Sequence, residues 1–295
     1  MIKLASLFTL ALASVAVAVA GSVVVDDGKQ IAVPVQSVQR TEINFRVQSD
    51  YVGTGDFRYR PAGDQDAFHA NVSAGVAIPV RDTTYFTVNA FYDRYDFGTS
   101  LAPVPTTLHK LGADIGVEFR AEGDIAASLY ASPGIYGSEI GSDYFNVPIT
   151  GYISYRLTPS LVAVVGARYN QWGMYQILPS GGLIWTVNDH WKVRALLTAP
   201  KVEYSPNSDL TLSFGGELTG GTYTTAKTEQ NYPDKHLDYY EIRAGIGATY
   251  RGWKPMTLNV NAGWSIERNF RYDDIDVEYR VKGAPYVAVS AKAVF

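Results

Sequence analysis

Long stretches of strict apolar–polar alternation limit this chain more than any other feature. Over Lys110–Arg120, Leu111, Ala113, Ile115, Val117 and Phe119 share one face, and Lys110, Gly112, Asp114, Gly116, Glu118 and Arg120 share the other. Tyr240–Arg251 repeats the pattern, with Ile242, Ala244, Ile246 and Ala248 set against Glu241, Arg243, Gly245 and Gly247. In Leu258–Glu267 the polar set is Asn259, Asn261, Gly263, Ser265 and Glu267. Strands of ordinary soluble proteins run to about five or six residues. These segments instead match the roughly ten residues that a tilted strand needs to cross hydrocarbon. Within 240–250, small and aliphatic residues sit centrally and tyrosines sit at both ends, the order that the two interfaces of a bilayer favour.

The connections alternate in length. Arg81-Asp82, Glu122-Gly123, Thr158-Pro159-Ser160, Asn188-Asp189-His190 and Gly252–Pro255 are tight turns of turn-favouring residues. Longer polar links fall between them at 54–66, 97–107, 137–143, 223–237 and 270–283. Short turns on one side and long loops on the other suit an antiparallel up-and-down transmembrane β-barrel. Clear strands are expected near 42–53, 68–78, 84–96, 108–120, 124–136, 144–157, 161–171, 176–188, 191–198, 209–222, 238–251, 256–269 and 284–295. That set is odd in number, and bacterial barrels are even. A short strand at Lys201–Ser205 makes about fourteen, with twelve to sixteen compatible, and keeps the 223–237 link on the long-loop side. The all-β barrel is therefore expected over 41–295, with both ends on the short-turn, periplasmic side.

Residues 1–20 read as a secretory signal peptide: Lys3, an apolar run from Leu4 to Val17, then Ala18-Val19-Ala20 before Gly21. Residues 21–40 are expected to form a periplasmic lead or small plug. After Gly21 no apolar stretch is long enough for a spanning helix. The chain has no cysteine, which excludes disulfides, thiolate chemistry and a lipoprotein anchor. Its net charge of −4 gives no reason to expect a nucleic-acid partner.

In the last strand Val287, Val289, Ala291, Ala293 and Phe295 share a face, and the sequence given stops at Phe295. This resembles the C-terminal signature of outer-membrane proteins, in which a terminal aromatic is recognised by the barrel-assembly machinery. The stretch Trp191–Gly216, with its Trp-Lys-Val-Arg opening and Tyr204-Ser205-Pro206-Asn207 turn, resembles an uncharacterised outer-membrane barrel family of unknown function. The resemblance implies a Gram-negative outer membrane and its lipid as surroundings. It brings no activity.

If the apolar set faces lipid, the polar set faces the lumen. The expected lumen-lining residues are Asp93, Lys110, Asp114, Glu118, Arg120, Arg156, Arg168, Lys192, Arg194, Glu217, Glu241, Arg243, Arg251 and Glu267, with Asn89, Asn170 and Lys292 beside them. Such charges either pair across the lumen or line water, which points to a channel or passive transporter for small solutes. The signs are mixed, so no ion preference follows. Two other readings stay open: an adhesion or structural barrel acting through loops 223–237 and 270–283, and a rim hydrolase built on His69, His109 and His236. No nucleophile elbow, metal-binding histidine pair or phosphate loop is present, so no enzyme, cofactor or metal is expected. The acids Asp273, Asp274 and Asp276 lack the glycine and terminal Glu of a calcium loop.

Overall fold

The computed structural model describes residues 22–25, 29–32, 40–58, 63–120 and 124–295. The expected signal peptide lies outside the described residues. The barrel strands are β1 (Glu42–Asp56), β2 (Asp64–Arg81), β3 (Thr84–Phe97), β4 (Thr107–Arg120), β5 (Ile125–Ala131), β6 (Ile149–Thr158) and β7 (Leu161–Tyr169). They continue as β8 (Ile177–Thr186), β9 (Trp191–Leu196), β10 (Lys201–Tyr204), β11 (Leu210–Thr224), β12 (His236–Tyr250), β13 (Met256–Tyr272) and β14 (Val277–Val294). Each pairs antiparallel with the next, and β14 pairs with β1, so the sheet closes as a fourteen-stranded ring. The short extra strand is present as β10. At the seam, the Phe295 N–H donates to the Ile43 carbonyl at 2.8 Å and the Ile43 N–H donates back at 3.0 Å. Before the ring, Ser22–Val25 and Lys29–Ala32 form a hairpin whose second strand lies beside β4, β5 and β6.

The expected 270–283 loop is not one. β13 and β14 stay paired from Tyr272↔Val277 downward, leaving only a tip at 273–276. In the 132–148 link, Gly134–Gly137 pairs with β4 and with Phe145–Asn146, and Gly137 also bridges to Thr224 on β11. This hairpin tip therefore leans over the mouth toward the far wall. The wall is uneven in height. β11 to β14 run 15 to 18 residues, whereas β9 has six and β10 four.

Outside, Val47, Leu129, Ile153, Val165, Phe214 and Ile246 are exposed, each more than half accessible. No soluble protein spends so many large apolar side chains around its whole girth; a bilayer makes the same surface favourable. Toward the long-loop end the alternation inverts. On β3, Val88, Ala90 and Tyr92 face out, but beyond them Arg94 and Asp96 take the outer face while Tyr95 and Phe97 are buried inside. β13 does the same: Trp264 and Ile266 face out below, and above them Asn269 and Arg271 share the outer side with Arg280 and Glu278 of β14. The strands have left hydrocarbon there and continue as a water-facing barrel with its own apolar core. That core includes Val52, Tyr95, Phe97, Leu108, Tyr223, Tyr239, Phe270 and Tyr272.

Candidate functional site

Inside the ring, side chains reach across from wall to wall. The Phe97 ring on β3 lies 5.0 Å from Tyr239 on β12 and 4.9 Å from Phe270 on β13, edge-to-face in both cases. Tyr95 reaches Tyr239 at 5.2 Å and bonds to Thr219 on β11 at 3.2 Å. These aromatics fill the long-loop half of the lumen and form a stopper. The expected polar, mixed-charge lumen gives way at this end to an apolar core. Projecting strands need a dry core to hold together in water, and inward aromatics supply it.

Below the stopper lies a charged belt. Asp50 on β1 accepts from His69 Nδ1 on β2 at 2.7 Å, and its other oxygen is 2.6 Å from Arg243 Nη2 on β12. Arg243 also donates to Glu241 at 2.8 Å and lies 3.7 Å from Glu217. The His69 Nε2 meets Asp93 at 3.0 Å, and its ring stacks on Tyr95 at 4.2 Å. Asp50, Glu241 and Arg243 are almost wholly buried. Each charge is neutralised by a neighbour rather than by water, as a low-dielectric interior requires.

Beside this belt is a small chamber, a cavity of about 40 Å³. Arg46, Asn71, Asn89, Asp93, Lys110, Asp114 and Arg168 line it with Phe91 and Tyr136. Asp93 accepts from Asn71 at 2.8 Å, and Asp114 accepts from Ser132 at 2.6 Å. Lys110 crosses the lumen to donate to the Gly220 carbonyl at 2.7 Å. Nearer the short-turn end, Arg120 donates to Glu118 at 2.7 Å and to Glu42 at 3.2 Å, and lies 4.3 Å over the Tyr85 ring. Tyr130 donates to Glu118 at 2.5 Å.

The sequence-expected residues thus fall into separate groups. Asp93, Lys110, Asp114 and Arg168 meet at the chamber, while Glu217, Glu241 and Arg243 belong to the belt. Glu118 and Arg120 form the lower cluster, and Arg194 pairs with Glu203 at 3.0 Å on the low wall, on the strand that also carries Lys192. Arg156 lies on β6 opposite Val162, which is buried. Arg251 stands past the end of β12, donating to Thr211 at 2.9 Å beside a tight turn.

Glu267 is a correction. The register slips between Ile242 and Arg243, so Ile266 is an extra residue and Glu267 pairs with outward Ile242. Its carboxylate lies 3.0 Å from Arg58 on the outer face. A bulge turns every later side chain over, which is also why Arg268 points inward and is fully buried, donating to the Gln65 carbonyl. Asp50, Arg46 and His69 were missed as lumen groups. The alternation of Arg46, Gln48 and Asp50 with Phe45, Val47 and Ser49 carried the signal.

The three histidines do not converge. His69 is inside, both ring nitrogens held by carboxylates; His109 bonds Tyr92 on the outer face; His236 stands on the rim against Asp274 and stacks on Trp172. The rim acids are also dispersed: Asp273 and Asp276 bind Arg271, and Asp274 binds His236. Burial and the neighbouring Asp238 carboxylate push the Asp273 carboxyl up to about 6.

A family model described as a domain of unknown function (DUF6268) matches residues 125–291, from β5 to near the end of β14. The chain belongs to this family. No curated protein matches it. Among solved structures, a mutant of the TodX monoaromatic hydrocarbon channel aligns at 11% identity over 88% of this chain and 91% of its own, with a TM-score of 0.48. An outer-membrane channel from Pseudomonas putida F1 aligns at 12% identity over 88% and 98%, also at 0.48. The toluene transporter TbuX of Ralstonia pickettii aligns at 11% over 86% and 89%, at 0.40. At such identities and scores these are likenesses of outline, and the family's description assigns no activity.

Proposed function

We propose that this protein is an outer-membrane barrel of a Gram-negative envelope that passes small solutes through its lumen as a channel or passive transporter, without a cofactor. The chamber carries this reading. Polar side chains from β1, β2, β3, β4 and β7 surround space that they do not fill, in a barrel otherwise crossed by direct bonds. A polar cavity of about 40 Å³ in the middle of the lumen has room for a few waters, the start of a wet path through the barrel. The stopper above makes it a restricted pathway, not a standing pore. The last strand, ending at Phe295, is proposed to guide insertion by the assembly machinery, with lipid around the belt.

Planar-bilayer recordings and liposome-swelling assays with small sugars test the proposal. Wild-type protein should conduct weakly, and Phe97→Ala with Tyr239→Ala should raise conductance severalfold by opening the stopper. A refolded, heat-modifiable barrel that passes neither ions nor sugars, with or without those substitutions, would sink it.

A further inference from the structure

The charges inside the ring are mixed in sign but sorted in place. From β9 round to β1, the short-turn half carries Lys192 and Arg194 on β9, Lys201 on β10, Arg251 past the end of β12, Lys292 on β14 and Arg46 on β1. Register sets their direction. Arg194 is opposite Lys201, Lys201 is opposite Gly215, and Lys292 is opposite Arg46, which lines the chamber. The intervening Val202, Phe214, Tyr250 and Val289 are exposed on the lipid face. The carboxylates of this stretch are each taken by an arginine: Glu203 by Arg194 at 3.0 Å, Glu42 by Arg120 at 3.2 Å and Glu217 by Arg243 at 3.7 Å. Among the described residues, no carboxylate stands within ion-pair distance of Lys192, Lys201, Lys292 or Arg46. Arg46 donates to the neutral Gln48 at 2.6 Å, and Arg251 to Thr211.

This part of the wall is wet. Ser213, Thr249, Thr257, Asn259 and Ser290 face inward beside the cations, and they are half-buried rather than sealed, as are the cations themselves. On the other side of the ring the inward residues of β6 to β9 pack as a dry cluster around Val164 and Ile184. Water therefore enters the short-turn half on the β9–β1 side, in a vestibule that ends at Arg46 on the wall of the chamber.

Lys292 and Arg46 form its inner end. Like charges directly opposite on paired strands repel, so the fold alone disfavours this pair. The carboxylates deeper in do not relieve it, because His69 and Arg243 hold Asp50, while His69 and Asn71 hold Asp93. The exposed turn acids Asp189 and Asp209 stand in bulk water, where salt screens them. Neutral Ser73, Thr257, Ser290 and Gln48 occupy the positions next to the pair. A recess lined by one sign of charge concentrates ions of the other. A guanidinium fork, an ammonium and several hydroxyls suit a ligand with more than one acceptor oxygen.

We infer that this vestibule gathers small oxyanions and binds them at Arg46 and Lys292, at the threshold of the chamber. The small chamber beyond limits the class to compact solutes. The inference rests on the transporter reading for its purpose, and on the wall for the site itself.

The chain has no cysteine, so Ser290→Cys places a single thiol on the vestibule wall, two residues from Lys292 on the same face. In micelles of an uncharged detergent, the anionic sulfonatoethyl methanethiosulfonate should outpace the cationic trimethylammonioethyl reagent by about tenfold, relative to their rates on the urea-unfolded chain. Lys292→Gln or Arg46→Gln should each cut that ratio about threefold. Inorganic phosphate should slow the anionic reagent more than chloride does at equal ionic strength. Thr257→Cys, opposite Lys292, gives a second readout if Ser290→Cys does not fold. A ratio near one, a ratio that neither glutamine variant lowers, phosphate acting no better than chloride, or no reaction at either position overturns the inference. Bilayer currents separate the two readings. Anion preference at the thiol without ion or sugar flux sinks the transporter and keeps the site, whereas flux without that preference does the reverse.

Discussion

Replacing Arg243 by Met removes one guanidinium that serves two carboxylates. Asp50 and Glu241 are fully buried, at 2.6 and 2.8 Å from the same Nη2. Breaking a buried pair by deleting one partner costs about 3–5 kcal/mol, because the other charge is left without compensation. Here Asp50 keeps His69 as a partner, but Glu241 keeps only the Tyr239 hydroxyl at 3.1 Å. The loss should therefore lie near the upper end, about 4–5 kcal/mol. Adding Glu241→Gln removes the stranded charge, and the double variant should recover about half of the loss. Arg194→Met, which breaks a pair that is partly open to water, should cost about 1 kcal/mol. Equilibrium unfolding by urea in phospholipid vesicles, followed by tryptophan fluorescence, measures all of these. If Arg243→Met costs under about 1 kcal/mol, or the double variant is no better than the single, the belt is bathed in lumen water and the reasoning fails.

Three further outcomes are expected. Asp273 has its carboxyl raised in the folded rim, so the folded state holds more protons than the unfolded one between about pH 4 and 6. Local stability of the 273–276 tip should fall as pH rises through that window, and Asp273→Asn should flatten the change in hydrogen exchange of that segment. Gly220→Ala should destabilise by at least about 1–3 kcal/mol, since φ is +126° and a Cβ would run into the Tyr239 carbonyl; an unchanged unfolding midpoint would contradict the backbone described. Arg58→Ala, on the outer face beside Glu267, should change stability by less than about 1 kcal/mol and leave flux untouched, whereas a loss of flux would return Glu267 to the pathway.

The ring was legible because a strand with one face in lipid must alternate, and Lys110–Arg120 does so without a break. Even four-residue β10 could be placed, since omitting it puts the 223–237 link at the wrong end. What the sequence hid has two physical causes. Alternation marks two faces but not which solvent each meets, so Tyr95 and Phe97 carry the same period as Asp93 while the surroundings change from hydrocarbon to water. A bulge breaks the parity silently, and nothing near Ile266 announces that Glu267 is turned outward. Cross-lumen partners such as Asp50 and Arg243 are 193 residues apart and meet only when the ring closes.

The low stretch of wall also acts on the bilayer. β9 and β10 offer lipid a much shorter apolar height than β13 and β14 do, and exposed strand ends above them are poor company for acyl chains. A membrane answers such mismatch by thinning or by letting the protein tilt, at fractions of a kcal/mol per ångström. The bilayer should then be thinnest beside β8–β10. The barrel's own lopsidedness gathers lipid disorder on one side of its circumference, and neighbouring barrels would meet preferentially there to share the defect.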